Sequence, residues 1–233
     1  DAAKAATEIK KAMLSGKIIA SKLYKRAAAG QDVLNILRQV STANVSDAMH
    51  RQLGLKGIIP VIGGLKACGR AVTVRTYPGD WAKPVEAIDT AKQGEVIVID
   101  AGGIGPAVWG ELATYSAARK KLGGVVINGA LRDSADIKKI KFPAFSKLVL
   151  PNAGEPKGFG EINVPLSIEG VTIYPGDWVL CDDDGVMVLP YEKGVEFANR
   201  AADVLEKENR IRKEIIEGGT LASVMDLLKW EKR

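Results

Sequence analysis

The chain has 233 residues, 46% of them apolar and 26% charged, which is enough to bury a full core in one large domain or two small ones. This composition excludes disordered, collagen-like and coiled-coil chains, and no apolar run approaches the roughly 20 residues that a membrane-spanning helix needs. Residues 1–11 mix charges with alanines instead of forming a signal peptide, which predicts a soluble, cytoplasmic protein with no membrane partner.

The net charge of +5 is local. Lys4, Lys10, Lys11, Lys17, Lys22, Lys25 and Arg26 stand against only Asp1 and Glu8 in the first 30 residues, and the rest of the chain balances 26 basic with 26 acidic side chains. A neutral body without interleaved aromatic and basic residues argues against a nucleic-acid partner. Residues 1–30 therefore read as a basic helix and linker, 31–219 as an α/β domain and 220–233 as a C-terminal helix. A chain that opens with Asp on what looks like the tail of a helix predicts a fragment of a longer polypeptide; an ordinary N-terminal arm is the alternative.

In chain order, the patterns predict helices over Asp32 to Gln39 and Ser46 to Leu53, the second with Ser46 as N-cap. Strands follow at Lys66 to Tyr77, Glu95 to Ala101 and Gly124 to Leu131, with a helix from about Val108 to Leu122 between the last two. Beyond Lys147 come short strands, Ile162 to Ile168, Val171 to Tyr174, Asp177 to Cys181 and Val186 to Pro190, separated by hairpin-type turns. One such turn explains the acidic run Asp182-Asp183-Asp184-Gly185. A helix from Tyr191 to Glu217, a Gly218-Gly219 break and a helix from Leu221 to Trp230 close the chain. The expectation is an α/β fold, a central β layer with flanking helices in one domain. Tyr-Pro-Gly-Asp-Trp occurs at Tyr77 to Trp81 and again at Tyr174 to Trp178; Pro-Gly supplies a type II turn in each, and with nothing alignable around them the repeat reads as chance.

Cys68 and Cys181 sit alone in apolar stretches and read as core thiols, and His50 is the single histidine. A zinc site of His/Cys type and a Ser/His/Asp triad are thereby poorly supported, so a metal must be held by carboxylates. The strand Val96 to Asp100 runs into the glycine-rich stretch Ala101-Gly102-Gly103-Ile104-Gly105. Its glycines fall two, three and five residues after Asp100, which fits neither a dinucleotide fingerprint nor a methyl-donor loop. The N–H groups of such a loop can instead receive an anion, such as a substrate carboxylate, or simply make a tight turn. Arg132-Asp133 follows the apolar strand Gly124 to Ile127, at the kind of strand end where α/β proteins bind ligands. Arginine offers a fork to a carboxylate, and aspartate is a hard ligand for a divalent ion. The plain alternatives are a surface ion pair and a helix N-cap.

Gly110-Glu111-Leu112-Ala113, then 20 residues between Glu111 and Arg132, then Arg132-Asp133, and later the run Pro175 to Pro190, resemble the family of the regulator of ribonuclease E activity A. That family includes the divalent-metal class II 4-hydroxy-4-methyl-2-oxoglutarate aldolases, and its members were long mislabelled demethylmenaquinone methyltransferases. The resemblance, from about Val33 to Gly218, implies the swivelling β/β/α type of fold and a homotrimer or hexamer with sites between subunits. It implies that Arg132 binds a pyruvyl carboxylate and Asp133 ligates Mg²⁺ or Mn²⁺. The first acid is usually Asp in the family, and this chain has Glu111. Residues Asp1 to Met13 also look like the last helix of a 3-hexulose-6-phosphate synthase, to which archaeal members are often fused.

On the closing helix Phe197, Ala201, Val204, Ile211 and Ile215 form an apolar stripe whose gap is filled by Glu208. A carboxylate on a packing face needs a partner. Either Glu208 is an acid lent to a neighbouring subunit's site, as in the family's aldolases, or it is a rim ion pair with Lys207 or Arg212. The expected activity is retro-aldol cleavage of small 2-oxo acids, decarboxylation of oxaloacetate, or both. In it Asp133 and Glu111 hold the metal, Arg132 clamps the carboxylate, and backbone N–H groups near Gly110, of Glu111, Leu112 and Ala113, take its remaining oxygen. The rivals are a non-catalytic regulator that binds a protein partner and a domain that modulates a fused sugar-phosphate enzyme.

Overall fold

The computed structural model describes residues 23–230. The basic segment 1–22 lies outside the described residues, together with the helix and the fused-domain resemblance expected of it. Two helices come first, α1 (Gly30–Leu37) and α2 (Thr42–Ala48). The second starts four residues before its expected Ser46 cap. Ser41 is the N-cap, its hydroxyl accepting from Asn44 N while Asn44 Oδ1 accepts from Ser41 N, so the polar Ser/Thr/Asn run is the first turn of the helix instead of a loop.

The main sheet then assembles from β1 (Ile59–Pro60), β2 (Ala67–Thr76), β3 (Val96–Asp100), β4 (Ala107–Trp109), β5 (Gly124–Leu131), β6 (Ala144–Val149), β7 (Gly160–Ile162), β10 (Trp178–Asp182) and β11 (Gly185–Leu189). Its order is β1-β6-β5-β3-β2-β10-β11, with β4 added beside β5 and β7 beside β2. The pairs among β2, β3, β5 and β6 are parallel, while β10 and β11 join as an antiparallel hairpin. A separate hairpin of β8 (Leu166–Ile168) and β9 (Val171–Ile173) covers the sheet. Helices α3 (Ala82–Thr90), α4 (Glu111–Arg119) and α5 (Ser134–Ile140) connect the parallel strands, and α6 (Gly194–Ile216) and α7 (Leu221–Trp230) end the chain.

The central strands β3 and β5 are apolar over Val96 to Ile99 and Val125 to Ile127 because both faces are covered. Ile97 and Ile99 of β3 and Val125 and Ile127 of β5 pack with Ala87, Ala117 and Ile137 from the connecting helices. Val96, Val98 and Val126, one residue out of step, point into a second cluster closed by β8, β9 and the β10–β11 hairpin. A third cluster joins α1, α2 and α6 to Trp178, Leu180 and Leu189. Cys68 and Cys181 are free thiols, the second buried among the strands.

Two further expected features move. The helix expected from Val108 begins at Glu111, because Ala107–Trp109 pairs with β5 as a fully buried strand. On α6 the packing face is not the stripe through Val204 and Ile211. Gly194, Phe197, Ala198, Ala201, Ala202, Glu206 and Asn209 are buried, and Ile215 is exposed. The acid on the packed face is accordingly Glu206, not Glu208. Arg26 bonds both carboxylate oxygens of Glu206, the Tyr24 N–H adds a third bond, and Ala27 exchanges two bonds with Asn199. Residues 24–27 thus lie along α6 as a strap.

Candidate active site

Strand β5 ends at Leu131, and the next two residues turn its end into a site. The Arg132 N–H donates to the Trp109 carbonyl, which ties the end of β5 to the end of β4. Asp133 then takes a left-handed backbone, φ 59° and ψ 34°, at the N-cap position of α5. Aspartate is among the few residues that tolerate this region, and strained backbone of this kind gathers at functional sites. Its side chain does not cap α5. It reaches across instead, so that Oδ2 accepts from the Glu111 N–H at 3.1 Å, at the start of α4.

Gly110 makes that reach feasible, because a Cβ there would stand 2.6 Å from Asp133 Oδ2. The start of α4 is held from below by a buried relay. Trp109 Nε1 donates to Thr114 Oγ1 at 2.9 Å, and that hydroxyl donates to the Gly110 carbonyl at 2.8 Å. Gly110 offers no side chain to cap the helix. Among the described residues no group accepts from the Leu112 or Ala113 N–H, so a helix N-terminus with open donors faces the cavity.

A cavity of about 140 Å³ is lined by Gly110, Glu111, Leu112, Ala113, Arg132 and Asp133 on one side and by Trp81, Val85, Val108 and Ala153 on the other. Arg132 is 46% exposed, and its nearest carboxylate oxygen is Asp133 Oδ2, 3.5 Å from Nε. Its terminal guanidinium nitrogens have no partner among the described residues. The cavity therefore combines an open arginine fork, an aspartate, a glutamate and open N–H groups, a set that can receive a small carboxylate and a hard cation together.

For such a cation the residues fit a sparse site and not a closed cage. Among the described residues no three His, Cys, Asp or Glu side chains cluster to hold a metal. Asp133 and Glu111 offer two carboxylates at one cavity, and Mg²⁺ commonly takes one or two while keeping several waters.

Six of the residues singled out from the sequence meet here: Gly110, Glu111, Leu112, Ala113, Arg132 and Asp133. Glu208 does not line the cavity; it is half-exposed and bonds Arg212 one turn along α6. The glycine-rich loop is largely satisfied from within, since Gly102 N–H donates to Asp100 Oδ1 and the N–H groups of Ala101 and Gly103 donate to the Asn128 carbonyl. Trp81, Val85 and Ala153 escaped the sequence reading. The signal was present for Trp81 in the repeated pentapeptide, which is more than a turn. In both copies the Asp N–H returns to the Tyr carbonyl, glycine has φ near 80°, and the Asp is buried and gathers backbone N–H groups.

The RraA-like family, described as Aldolase/RraA, matches residues 42–188, well over half of the chain, and the chain belongs to it. An uncharacterized protein of Methanocaldococcus jannaschii is 40% identical over 197 residues, covering 83% of this chain and 94% of that protein. The 4-hydroxy-4-methyl-2-oxoglutarate aldolase of Thermus thermophilus is 29% identical over 154 residues, covering 65% of this chain and 93% of the aldolase. The solved structure of the RNA-processing inhibitor RraA from Thermus thermophilus superposes with a TM-score of 0.61 at 28% identity, over 65% of this chain and 93% of that one.

Proposed function

We propose that the chain is a magnesium- or manganese-dependent carbon–carbon lyase that releases pyruvate from small 2-oxo acids, by retro-aldol cleavage, by decarboxylation of oxaloacetate, or by both. One juxtaposition carries the reading: the open Arg132 fork, the Asp133 carboxylate and the open N–H groups of α4 line a single cavity. Both reactions break a bond to C3 and leave an enolate with charge developing on the 2-oxo oxygen. Arg132 binds the substrate carboxylate in two-pronged fashion and offsets part of that charge. The Leu112 and Ala113 N–H groups take the remaining carboxylate oxygen at the helix N-terminus.

Asp133 would hold the ion, with Glu111 holding it directly or through water, and the ion supplies Lewis-acid stabilisation of the developing oxyanion. Glu111 is the lining carboxylate suited to accept the proton of a substrate hydroxyl. Its side chain is one methylene longer than the family's usual Asp, while its N–H keeps Asp133 in place. In a homotrimer or hexamer, Glu208 enters only as a group lent by a neighbouring copy.

The test is pyruvate release from oxaloacetate and from 4-hydroxy-4-methyl-2-oxoglutarate, with and without Mg²⁺ or Mn²⁺. Release that requires the metal is the expected result. No release from either substrate overturns the reading and leaves the regulatory alternative, in which the site residues make no demand on chemistry.

A further inference from the structure

The hydrogen bonds around the head of α4 close into a ring that holds Asp133. Trp109 supplies two of its links: its indole N–H donates to Thr114 Oγ1 at 2.9 Å, and its carbonyl accepts from the Arg132 N–H at 3.0 Å. Between those points the Thr114 hydroxyl donates to the Gly110 carbonyl at 2.8 Å, and the Glu111 N–H donates to Asp133 Oδ2 at 3.1 Å. Resting on the lyase reading, in which Asp133 holds the ion, we propose that Thr114 is a positioning residue for that ligand. Its hydroxyl, which does not line the cavity, sets the affinity of the site for the divalent ion.

The peptide plane makes the connection. The Gly110 carbonyl and the Glu111 N–H belong to one planar trans unit and point in opposite directions, so whatever fixes the carbonyl also aims the N–H. Both bonds to that carbonyl come from Thr114, one from its backbone N–H at 3.0 Å and one from its hydroxyl. A threonine hydroxyl bonded to the carbonyl four residues back is a common local tie within a helix. Here the hydroxyl is also held from behind, because the indole N–H occupies its acceptor side and leaves its proton for Gly110. Thr114 is fully buried and Trp109 nearly so, which keeps both groups from turning to bulk water, and successive bonds in such a chain strengthen one another.

At the other end of the chain, Oδ2 of Asp133 is taken by the Glu111 N–H, while Oδ1 has no partner among the described residues. One oxygen is tethered and the other is open to a cation. Asp133 stands at the N-cap position of α5, where an aspartate ordinarily turns its side chain onto the first helical N–H groups, and it makes no such bond. The ring holds the carboxylate toward the cavity against that alternative. The bond from the Arg132 N–H ties the residue before Asp133 to the same tryptophan, so the approach through α4 and the approach along β5 meet at Trp109. Removing a group that orients a metal-ligating side chain in this way typically costs about 10- to 100-fold in metal affinity.

The experiment measures Mn²⁺ binding without substrate, from the paramagnetic resonance signal of the free ion, in the unmodified protein and in Thr114→Val, Thr114→Ser and Asp133→Ala. Thr114→Val keeps the shape of the side chain and the helical N–H bond but removes the hydroxyl, and should weaken binding by about tenfold or more. Thr114→Ser keeps the hydroxyl and should retain most of the affinity. Valine also leaves the buried indole N–H unpaired, a cost in stability that thermal unfolding records. Trp109→Phe/Thr114→Val removes that donor too, and should fold with Mn²⁺ binding still weakened. A merely structural role would lower the unfolding temperature and leave Mn²⁺ binding by the folded valine variants unchanged; that result, with the ion lost in Asp133→Ala, overturns the inference while the ion's assignment to Asp133 stands. Equal weakening in Thr114→Ser overturns it as well. Weakened binding in the valine variants of a protein that releases no pyruvate would leave the inference standing and overturn the lyase reading. Mn²⁺ binding that is absent from the unmodified protein, or that survives Asp133→Ala, overturns both.

Discussion

Asp133 and Arg132 divide the work of the cavity, and the division can be read from kinetics. Arg132→Lys should impair kcat/KM nearly as much as Arg132→Ala, because an ammonium is a point charge and cannot reproduce a planar two-pronged contact. Steady-state pyruvate release checks this, and rescue of most of the activity by lysine would reduce Arg132 to a source of charge. Gly110→Ala is the complementary change. The added Cβ would stand 2.6 Å from Asp133 Oδ2, so the carboxylate must swing away from the Glu111 N–H. Activity should fall by about tenfold or more, the scale of losses from displacing a catalytic group by a fraction of an ångström to an ångström. The fold should persist, because Gly110 has extended backbone that alanine also adopts. Calorimetric unfolding beside the kinetics separates the two effects.

At the scale of elements, the strap over α6 changes where the domain begins. Arg26 belongs by sequence to the basic appendage, yet it satisfies Glu206, whose side chain is only 9% exposed. A chain starting at Leu23 should therefore be more stable than one starting at Ala29, by about 1–3 kcal/mol, since the second leaves a buried carboxylate unpaired. Denaturant unfolding of the two measures the difference. The hydrogen bonds from Arg26 hold the Glu206 carboxyl below its ordinary value of 4.5. Burial alone would raise Asp80, but four backbone N–H groups hold it below 3.8. A depressed carboxylate contributes stability above its unfolded value and loses it as pH falls through the lower folded one. Acid unfolding should accordingly set in below about pH 4.5, and Arg26→Ala should flatten that limb of the stability profile. What was legible in the sequence follows the strength of local patterns. The apolar runs of β3 and β5 name themselves because both sheet faces are covered, and Arg132-Asp133 stands out at a strand end. The connecting helices α3 and α5 and strand β6 carry weak periodicity and were not legible. The register of α6 is not legible because Ile211 and Ile215 imitate a packing stripe beyond Leu205, the last apolar residue of the helix packed in the third cluster. Glu206 is buried only because a segment 180 residues away supplies its partner, which no window along the helix contains. Trp81 was hidden by its neighbours, whose turn chemistry accounts for the pentapeptide without its last residue.

For the whole molecule, the mouth of the cavity is apolar and uncovered. Leu112 is 80% exposed, and Trp81 and Val85 also show substantial exposure. Such side chains around a charged site call for a cover, and a second copy in the proposed ring would provide one. Sedimentation should give a trimer or hexamer, and Leu112→Glu should shift it toward smaller species. If Glu208 reaches a neighbour's site across that contact, Glu208→Gln should lower activity more than stability; if it serves only Arg212, both should barely change, as for an exposed ion pair. The central claim, that this cavity performs metal-assisted cleavage of 2-oxo acids, is tested most directly by pyruvate release from the unmodified protein and from Asp133→Ala across a titration of Mg²⁺ or Mn²⁺. The account predicts metal-dependent turnover that collapses in the variant even at saturating metal, with the fold intact. Near-unchanged turnover in Asp133→Ala would contradict it.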